Sequence, residues 1–287
     1  MNPIGIMQGR LSPPGPRAQT FPWVSWEREF DRARVLGFDA IEWLFDAPDF
    51  ERNPIWTEAG VERIVARIRQ TGVAVSSVCA NYFMGHPFFR VAEVEAARSA
   101  EVLSQLIARA RAVGAGKIVV PVLEQAEIRR PEEQEQLLQL LRAPLQAARS
   151  QGIVLALETE LPAGDWLALM DQARHPDLGV YYDTGNATAK GYDAEAELRV
   201  LRAHLRGVHI KDRARGGPNV LLGTGGVNFG RVFAVLVEIG YNGTLVLETT
   251  VGDDYYANAQ RHLEFVHTHL QRAEAGAPTA AAPATHS

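Results

Sequence analysis

The sequence predicts a single (β/α)8 barrel of the α/β class, and three observations carry that prediction. Short apolar runs alternate strictly with longer amphipathic segments, eight of each. Runs such as IVLAL (153–157) and KIVVPV (117–122) are apolar on both faces, as in parallel strands covered by helices. The 287 residues also suit a fold that typically needs about 250. An open doubly wound sheet alternates in the same way. However, no G-x-G-x-x-G follows the first strand, where a dinucleotide-binding sheet carries it.

The elements follow in order. Residues 3–9 (PIGIMQG) read as a strand. Residues 25–37 read as a helix, with Ser25 as N-cap and Gly37 as stop. A second strand covers 38–44. A helix over 57–72 has Val61, Ile64, Val65 and Ile68 on one face and again ends in Gly. Strand 74–83, helix 94–114, strand 117–123 and helix 132–150 complete the first half. The second half repeats the rhythm: strand 153–160, helix 164–175, strand 178–186, helix 193–205, strand 206–212, helix 228–240, strand 244–250 and helix 253–273. The barrel domain is therefore expected over 1–273. The Ala/Pro/Thr-rich remainder, 274–287, has too little bulky apolar surface to offset its ordering entropy and is expected to be a disordered tail.

Composition narrows the function. A net charge of −5 argues against nucleic acid as the main partner. Cys79 is the only cysteine, which excludes an intrachain disulfide and a thiolate zinc site. The N-terminus lacks the pattern of a signal peptide, and no apolar run approaches the length of a membrane span, so the expectation is a cytoplasmic protein with no membrane partner. Association into a homo-oligomer is left open.

In such a barrel the active site forms where the strands end. Strand 1 ends in Gln8 and Arg10, strand 2 carries Glu42 and Trp43, and strand 3 runs into Asn81, Tyr82 and then His86. Strand 4 ends in Glu124 and Gln125. The last four strands end in Glu158 with Glu160, Asp183 with Asn186, His209 with Asp212, and Glu248. Buried carboxylates are costly unless paired or bound to a cation. Three carboxylates and one imidazole converging on one axis form a hard, oxygen-rich set, suited to Mn2+, Mg2+ or Co2+. The competing reading is a barrel-top salt-bridge network among these acids and Lys211, Arg213 and Arg215.

MQGRLSPP (7–14), LALE (155–158), YYDTGN (181–186), VHIKDR (208–213) and LVLE (245–248) resemble the xylose isomerase-like TIM barrels, and more closely their sugar phosphate isomerase/epimerase group. The resemblance spans about residues 3–270. It implies one divalent metal held by Glu158, Asp183, His209 and Glu248, with Glu158 and Glu248 doubling as acid/base catalysts on opposite sides of a carbohydrate substrate. It also implies substrate contacts from His86 and Arg215. Two positions depart from the ketose 3-epimerase branch, which tends to have His where this chain has Asn186 and an acid in the loop that here reads Lys211-Asp212-Arg213.

The expected reaction is removal of a proton next to a carbonyl through a metal-stabilised enediolate. Gln8, Arg10, His86, Asn186, Lys211, Arg213 and Arg215 are the expected substrate contacts. The three cations after His209 could hold an anionic group such as phosphate, or neutralise nearby acids including Asp212. Residues 216–226 (GGPNVLLGTGG) read as a mobile loop over the pocket. Alternatives on the same scaffold are a lyase or dehydratase acting on keto-sugars or keto-inositols, a metal-dependent hydrolase resembling the abasic-site endonucleases, and a non-catalytic sugar-binding barrel. The extra histidines of the nuclease type are not found at matching strand ends. His175, His204, His262, His267 and His269 fall on helices and read as surface or packing residues.

Overall fold

A computed structural model describes residues 2–15 and 19–276. Eight parallel strands close into a barrel: β1 (Ile4–Met7), β2 (Ala40–Leu44), β3 (Ala74–Cys79), β4 (Lys117–Val122), β5 (Val154–Thr159), β6 (Leu178–Asp183), β7 (Leu205–Ile210) and β10 (Leu245–Leu247). Each pairs with its sequence neighbour, and β1 joins β10 to complete the ring through the register Ile4↔Leu245 and Ile6↔Leu247.

The principal outer helices are α1 (Trp26–Leu36), α2 (Glu58–Thr71), α4 (Glu93–Ala112), α5 (Pro131–Gln151), α6 (Ala163–Ala173), α8 (Ala194–Leu201), α9 (Phe229–Glu238) and α10 (Tyr255–Gly276). Two short helices, α3 (Tyr82–Gly85) and α7 (Thr184–Lys190), lie in the connections after β3 and β6. Gly37 stops α1 as expected: it adopts a left-handed φ of 96°, and its amide reaches the carbonyls of Ala33 and Arg34. Ser25 precedes α1 but makes no capping hydrogen bond, because its hydroxyl meets Ser12 Oγ at 2.7 Å instead.

The side chains separate into two cores. A large cluster fills the layer between sheet and helices. A second, made of Met7, Cys79, Val119, Ala156, Tyr181 and Val246, plugs the barrel interior. Both faces of most strands are therefore apolar, which accounts for the unbroken apolar runs.

Several boundaries differ from the sequence expectation at the C-terminal ends of the strands. Strand 74–83 stops at Cys79 and turns into α3. Strand 178–186 stops at Asp183, whose Oδ1 accepts the Asn186 amide at 2.7 Å and caps α7. The strand over 206–212 ends at Ile210. Beyond Lys211, β8 (Asp212–Arg213) pairs antiparallel with β9 (Asn219–Val220). Residues 216–226 are thus partly a hairpin. The buried Asp212 carboxylate anchors the remainder, accepting the amides of Gly223 and Gly225 at 2.9 Å and Val227 at 3.2 Å. At the C-terminus α10 extends to Gly276, so residues 274–276 are helical; the rest of the expected tail, 277–287, lies outside the described residues. No helix among the described residues is long and apolar enough to cross a membrane.

Candidate metal centre and active site

Four consecutive strands of the second half deliver one potential metal-ligating side chain each to the barrel mouth. Glu158 stands near the end of β5, Asp183 ends β6, His209 is the penultimate residue of β7, and Glu248 directly follows β10. One donor atom from each lies within 4.8 Å of all the others, and all four residues are buried. His209 Nδ1 is 3.0 Å from Glu248 Oε2, 3.5 Å from Glu158 Oε1 and 3.9 Å from Asp183 Oδ2. Ligands about 2.1 Å from one octahedral cation lie about 3 Å apart when adjacent and about 4.2 Å apart when opposite, so these spacings suit a shared ion.

The electrostatics agree. Burial pushes the Glu158 carboxyl up to about 7; His209 opposes the rise, while Glu248 and Asp183 add to it. Burial would also raise Glu248, but Lys211 and His209 outweigh it and hold this carboxyl below its ordinary value. Burial would lower His209, yet Glu42, Glu248 and Glu158 raise it well above the usual imidazole range. The upward shifts of Glu158 and His209 both favour more positive charge at the centre. Asp183 Oδ2 and His209 Nδ1 are buried and make no hydrogen bond among the described residues. Hard oxygen donors and one imidazole, converging without full hydrogen-bond satisfaction, together fit a divalent cation.

A cavity of about 1060 Å³ opens above the cluster. Of the expected substrate contacts, Arg10, Asn186, Lys211 and Arg213 line it. Asn186 places Nδ2 3.4 Å from Glu158 Oε1 and accepts from Arg213 Nη1 at 3.0 Å. Lys211 points into the cluster, with Nζ 2.6 Å from Glu248 Oε1 and 3.3 Å from Asp183 Oδ2. Room for that side chain comes from Gly185 in the TGN turn, where a Cβ would stand 2.8 Å from Lys211 Cγ.

Three expected contacts do not line this cavity. Gln8 is buried at the end of β1, where its Oε1 accepts the Leu44 amide at 3.0 Å. His86 follows α3, exposed, its ring stacked on Tyr82 at 4.1 Å. Arg215 occupies the exposed turn between β8 and β9.

The segment carrying Arg10 is fixed by Glu29 of α1, which accepts from the Gly9 amide at 3.0 Å, the Leu11 amide at 3.2 Å and Ser12 Oγ at 2.8 Å. Burial raises the Glu29 carboxyl to about 7 despite these bonds.

Two participants are absent from the expected metal ligands and substrate contacts. Gln19, in the β1–α1 connection, donates to Glu248 Oε1 at 2.6 Å and accepts from Asn81 Nδ2. Nothing in its Pro-rich surroundings marks it. Glu42 lies at the bottom of the site, fully buried, with Oε1 2.6 Å from His209 Nε2. A lone acid inside the apolar run AIEWLF (40–45) was the available signal.

Comparison with known proteins agrees with this architecture. The family model described as xylose isomerase-like TIM barrel matches residues 30–267. The L-ribulose-5-phosphate 3-epimerase UlaE of Escherichia coli (strain ATCC 8739) is 28% identical over 262 residues, covering 86% of this chain and 91% of the relative. A solved L-ribulose 3-epimerase superposes with a TM-score of 0.78 at 22% identity, covering 100% of both chains. A xylose isomerase-like TIM barrel protein from Mycobacterium smegmatis, solved in complex with magnesium, gives a TM-score of 0.69 at 19% identity over 94% of this chain and 97% of that one. The chain belongs to the xylose isomerase-like TIM barrel family.

Proposed function

We propose that the protein is a divalent-metal-dependent epimerase of the isomerase class, acting on a ketose phosphate. The observation that carries this reading is the placement of two buried glutamates, Glu158 and Glu248, in one four-ligand cluster at the floor of a sugar-sized cavity. The 28% identity to a pentulose-phosphate 3-epimerase over most of both chains supports the substrate class.

Glu158, Asp183, His209 and Glu248 would hold the ion, with Mn2+, Mg2+ and Co2+ the candidates for this donor set. When bound, it supplies Lewis-acid polarisation of the substrate oxygens. The protein's own groups then handle the proton. Glu248, kept ionised by Lys211, accepts it from the carbon beside the carbonyl, and the C–H electron pair moves toward the carbonyl oxygen to give an enediolate. Glu158, across the cluster from Glu248, returns one to the opposite face and so inverts the carbon.

Arg213 supplies the anion end. It lines the cavity, and its hydrogen-bond partners among the described residues are neutral: Asn186 Oδ1 and the Gly217 carbonyl. Lys211, by contrast, is committed to Glu248 and Asp183. A guanidinium whose charge is not spent on a carboxylate suits phosphate.

The test is a screen of ketoses and ketose phosphates with added Mn2+, followed by NMR in D2O. Epimerisation with one solvent deuteron incorporated at the inverted carbon is expected. Product lighter by one water would establish elimination instead, and absence of exchange with every ketose phosphate would sink the reading.

A further inference from the structure

An acid in the middle of a barrel strand needs a physical reason to be there. Glu42 is the third residue of β2, fully buried, with Met7 and Ser77 as its strand-register partners. A buried carboxylate is costly unless its acceptor capacity is filled, and an apolar residue would pack the same volume without that cost.

The barrel fills it from three other strands. Glu42 Oε2 accepts from Ser77 Oγ of β3 at 2.6 Å and from Tyr181 OH of β6 at 2.8 Å, and Oε1 lies 2.6 Å from His209 Nε2 of β7. The approach of Tyr181 is itself built into the sequence. Its ring lies against Gly207, where a Cβ would stand 2.1 Å from ring carbon Cε2. Any larger residue there would push the hydroxyl away from Glu42.

These contacts settle which ring nitrogen of His209 faces which way. Two hydroxyl donors occupy Oε2, and Oε1 can only accept, so the hydrogen lies on Nε2 and is donated to Glu42. In the neutral ring that binding a cation requires, Nδ1 then presents its lone pair among Glu158, Asp183 and Glu248, at 3.5, 3.9 and 3.0 Å.

We infer that Glu42, held by Ser77 and Tyr181, is a positioning residue that fixes the tautomer and ring orientation of His209 so that Nδ1 serves as the metal ligand. This rests on reading the four-residue cluster as a metal site. Partners of ligating histidines act in this way: they restrict the ring to one orientation and raise the basicity of the ligating nitrogen, and their loss typically weakens metal affinity about 10- to 100-fold.

The test measures metal binding without turnover. The full-length protein is freed of metal with chelator and titrated with Mn2+, while free Mn2+ is followed by EPR. The variants are Glu42→Gln and Tyr181→Phe, with thermal unfolding of each metal-free protein as a control. Glu42→Gln is expected to raise the Mn2+ Kd about 10- to 100-fold. Tyr181→Phe keeps the carboxylate but removes one of its anchors and is expected to raise it by about fivefold. A purely structural carboxylate would lower the unfolding temperature and leave the Kd of the folded protein unchanged; that result overturns the inference while wild-type Mn2+ binding leaves the metal centre standing. Should Glu42→Gln fail to fold, an unchanged Kd in Tyr181→Phe overturns it equally. Wild-type protein that takes up no Mn2+ would remove the metal reading and this inference together.

Discussion

Lys211 Nζ lies 2.6 Å from Glu248 Oε1 inside the barrel mouth, with Lys211 7% and Glu248 2% exposed. The ammonium also stands 3.3 Å from Asp183 Oδ2, so one buried cation serves two of the four proposed ligands. Removing one partner of a buried pair typically costs about 3–5 kcal/mol because the other charge is left uncompensated. Lys211→Met should therefore lower the unfolding temperature of the chelator-treated protein clearly. Added Mn2+ should then raise that temperature more in the variant than in wild type, since the ion supplies the missing positive charge and binds only the folded state. Thermal unfolding with EDTA and with Mn2+ measures both effects; an equal metal-induced rise in the two proteins would count against a cation shared among these carboxylates.

Arg213 gives a prediction about substrate. Its guanidinium borders the cavity beside Asn186, whose amide oxygen it reaches at 3.0 Å. Arg213→Gln should raise KM for a ketose phosphate by about 100-fold, the loss of one charge-assisted phosphate contact of about 2.7 kcal/mol. Activity toward the unphosphorylated ketose should change by less than about threefold. Steady-state kinetics on the pair of substrates checks this, and equal losses on both would place Arg213 in general architecture instead.

The barrel and its four convergent strand ends were legible because both are periodic. Parallel strands covered by helices leave apolar runs, and an acid or imidazole at the exit of such a run stands out. What escaped was whatever the connections decide. Gln19 reaches Glu248 from the β1–α1 connection across 229 residues of sequence, and no local pattern encodes that meeting. Strand 6 was read three residues too long because Asp183 closes its strand and caps α7 at once, a double role hidden in an apolar run. Arg213 and Arg215 look equivalent as sequence. The hairpin of β8 and β9 separates them, leaving Arg213 at the cavity and Arg215 on the exposed turn.

Asp212 shows how the same hairpin is held. Its carboxylate accepts three backbone amides, from Gly223, Gly225 and Val227, and is 1% exposed. Gly225 is required for the approach, since a Cβ there would fall 2.3 Å from Asp212 Oδ1. Asp212→Ala would strand three donors and should cost about 2–4 kcal/mol. Amide exchange at Gly223, Gly225 and Val227 should accelerate by at least about tenfold while β5 and β6 stay protected. Uniform acceleration across the barrel would mean that the loop and the core open as one unit.

Glu133 offers a pH test far from the proposed ligands. It is the third residue of α5, its side chain 4% exposed, where a carboxylate also meets the positive end of the helix dipole. Burial pushes its carboxyl up, but the Arg129 amide at 2.7 Å, Arg90 at 2.8 Å and Arg130 at 3.1 Å outweigh it and bring the pKa down to about 2. A carboxyl depressed on folding binds fewer protons in the native state. Its stabilisation is therefore present above the unfolded value of about 4.5 and is lost as pH falls from there toward about 2. A shift of that size corresponds to about 3.4 kcal/mol, which solvent screening at the exposed Arg130 brings down to about 2–3 kcal/mol. Glu133→Gln should accordingly be destabilised by about that amount in urea unfolding at pH 7. The gap to wild type should narrow steadily between pH 4.5 and pH 2.5, because protonation removes from the wild type the charge the variant already lacks. A gap that stays constant across that interval would mean that Glu133 stabilises by packing and neutral hydrogen bonding, and that the two arginines add nothing by charge.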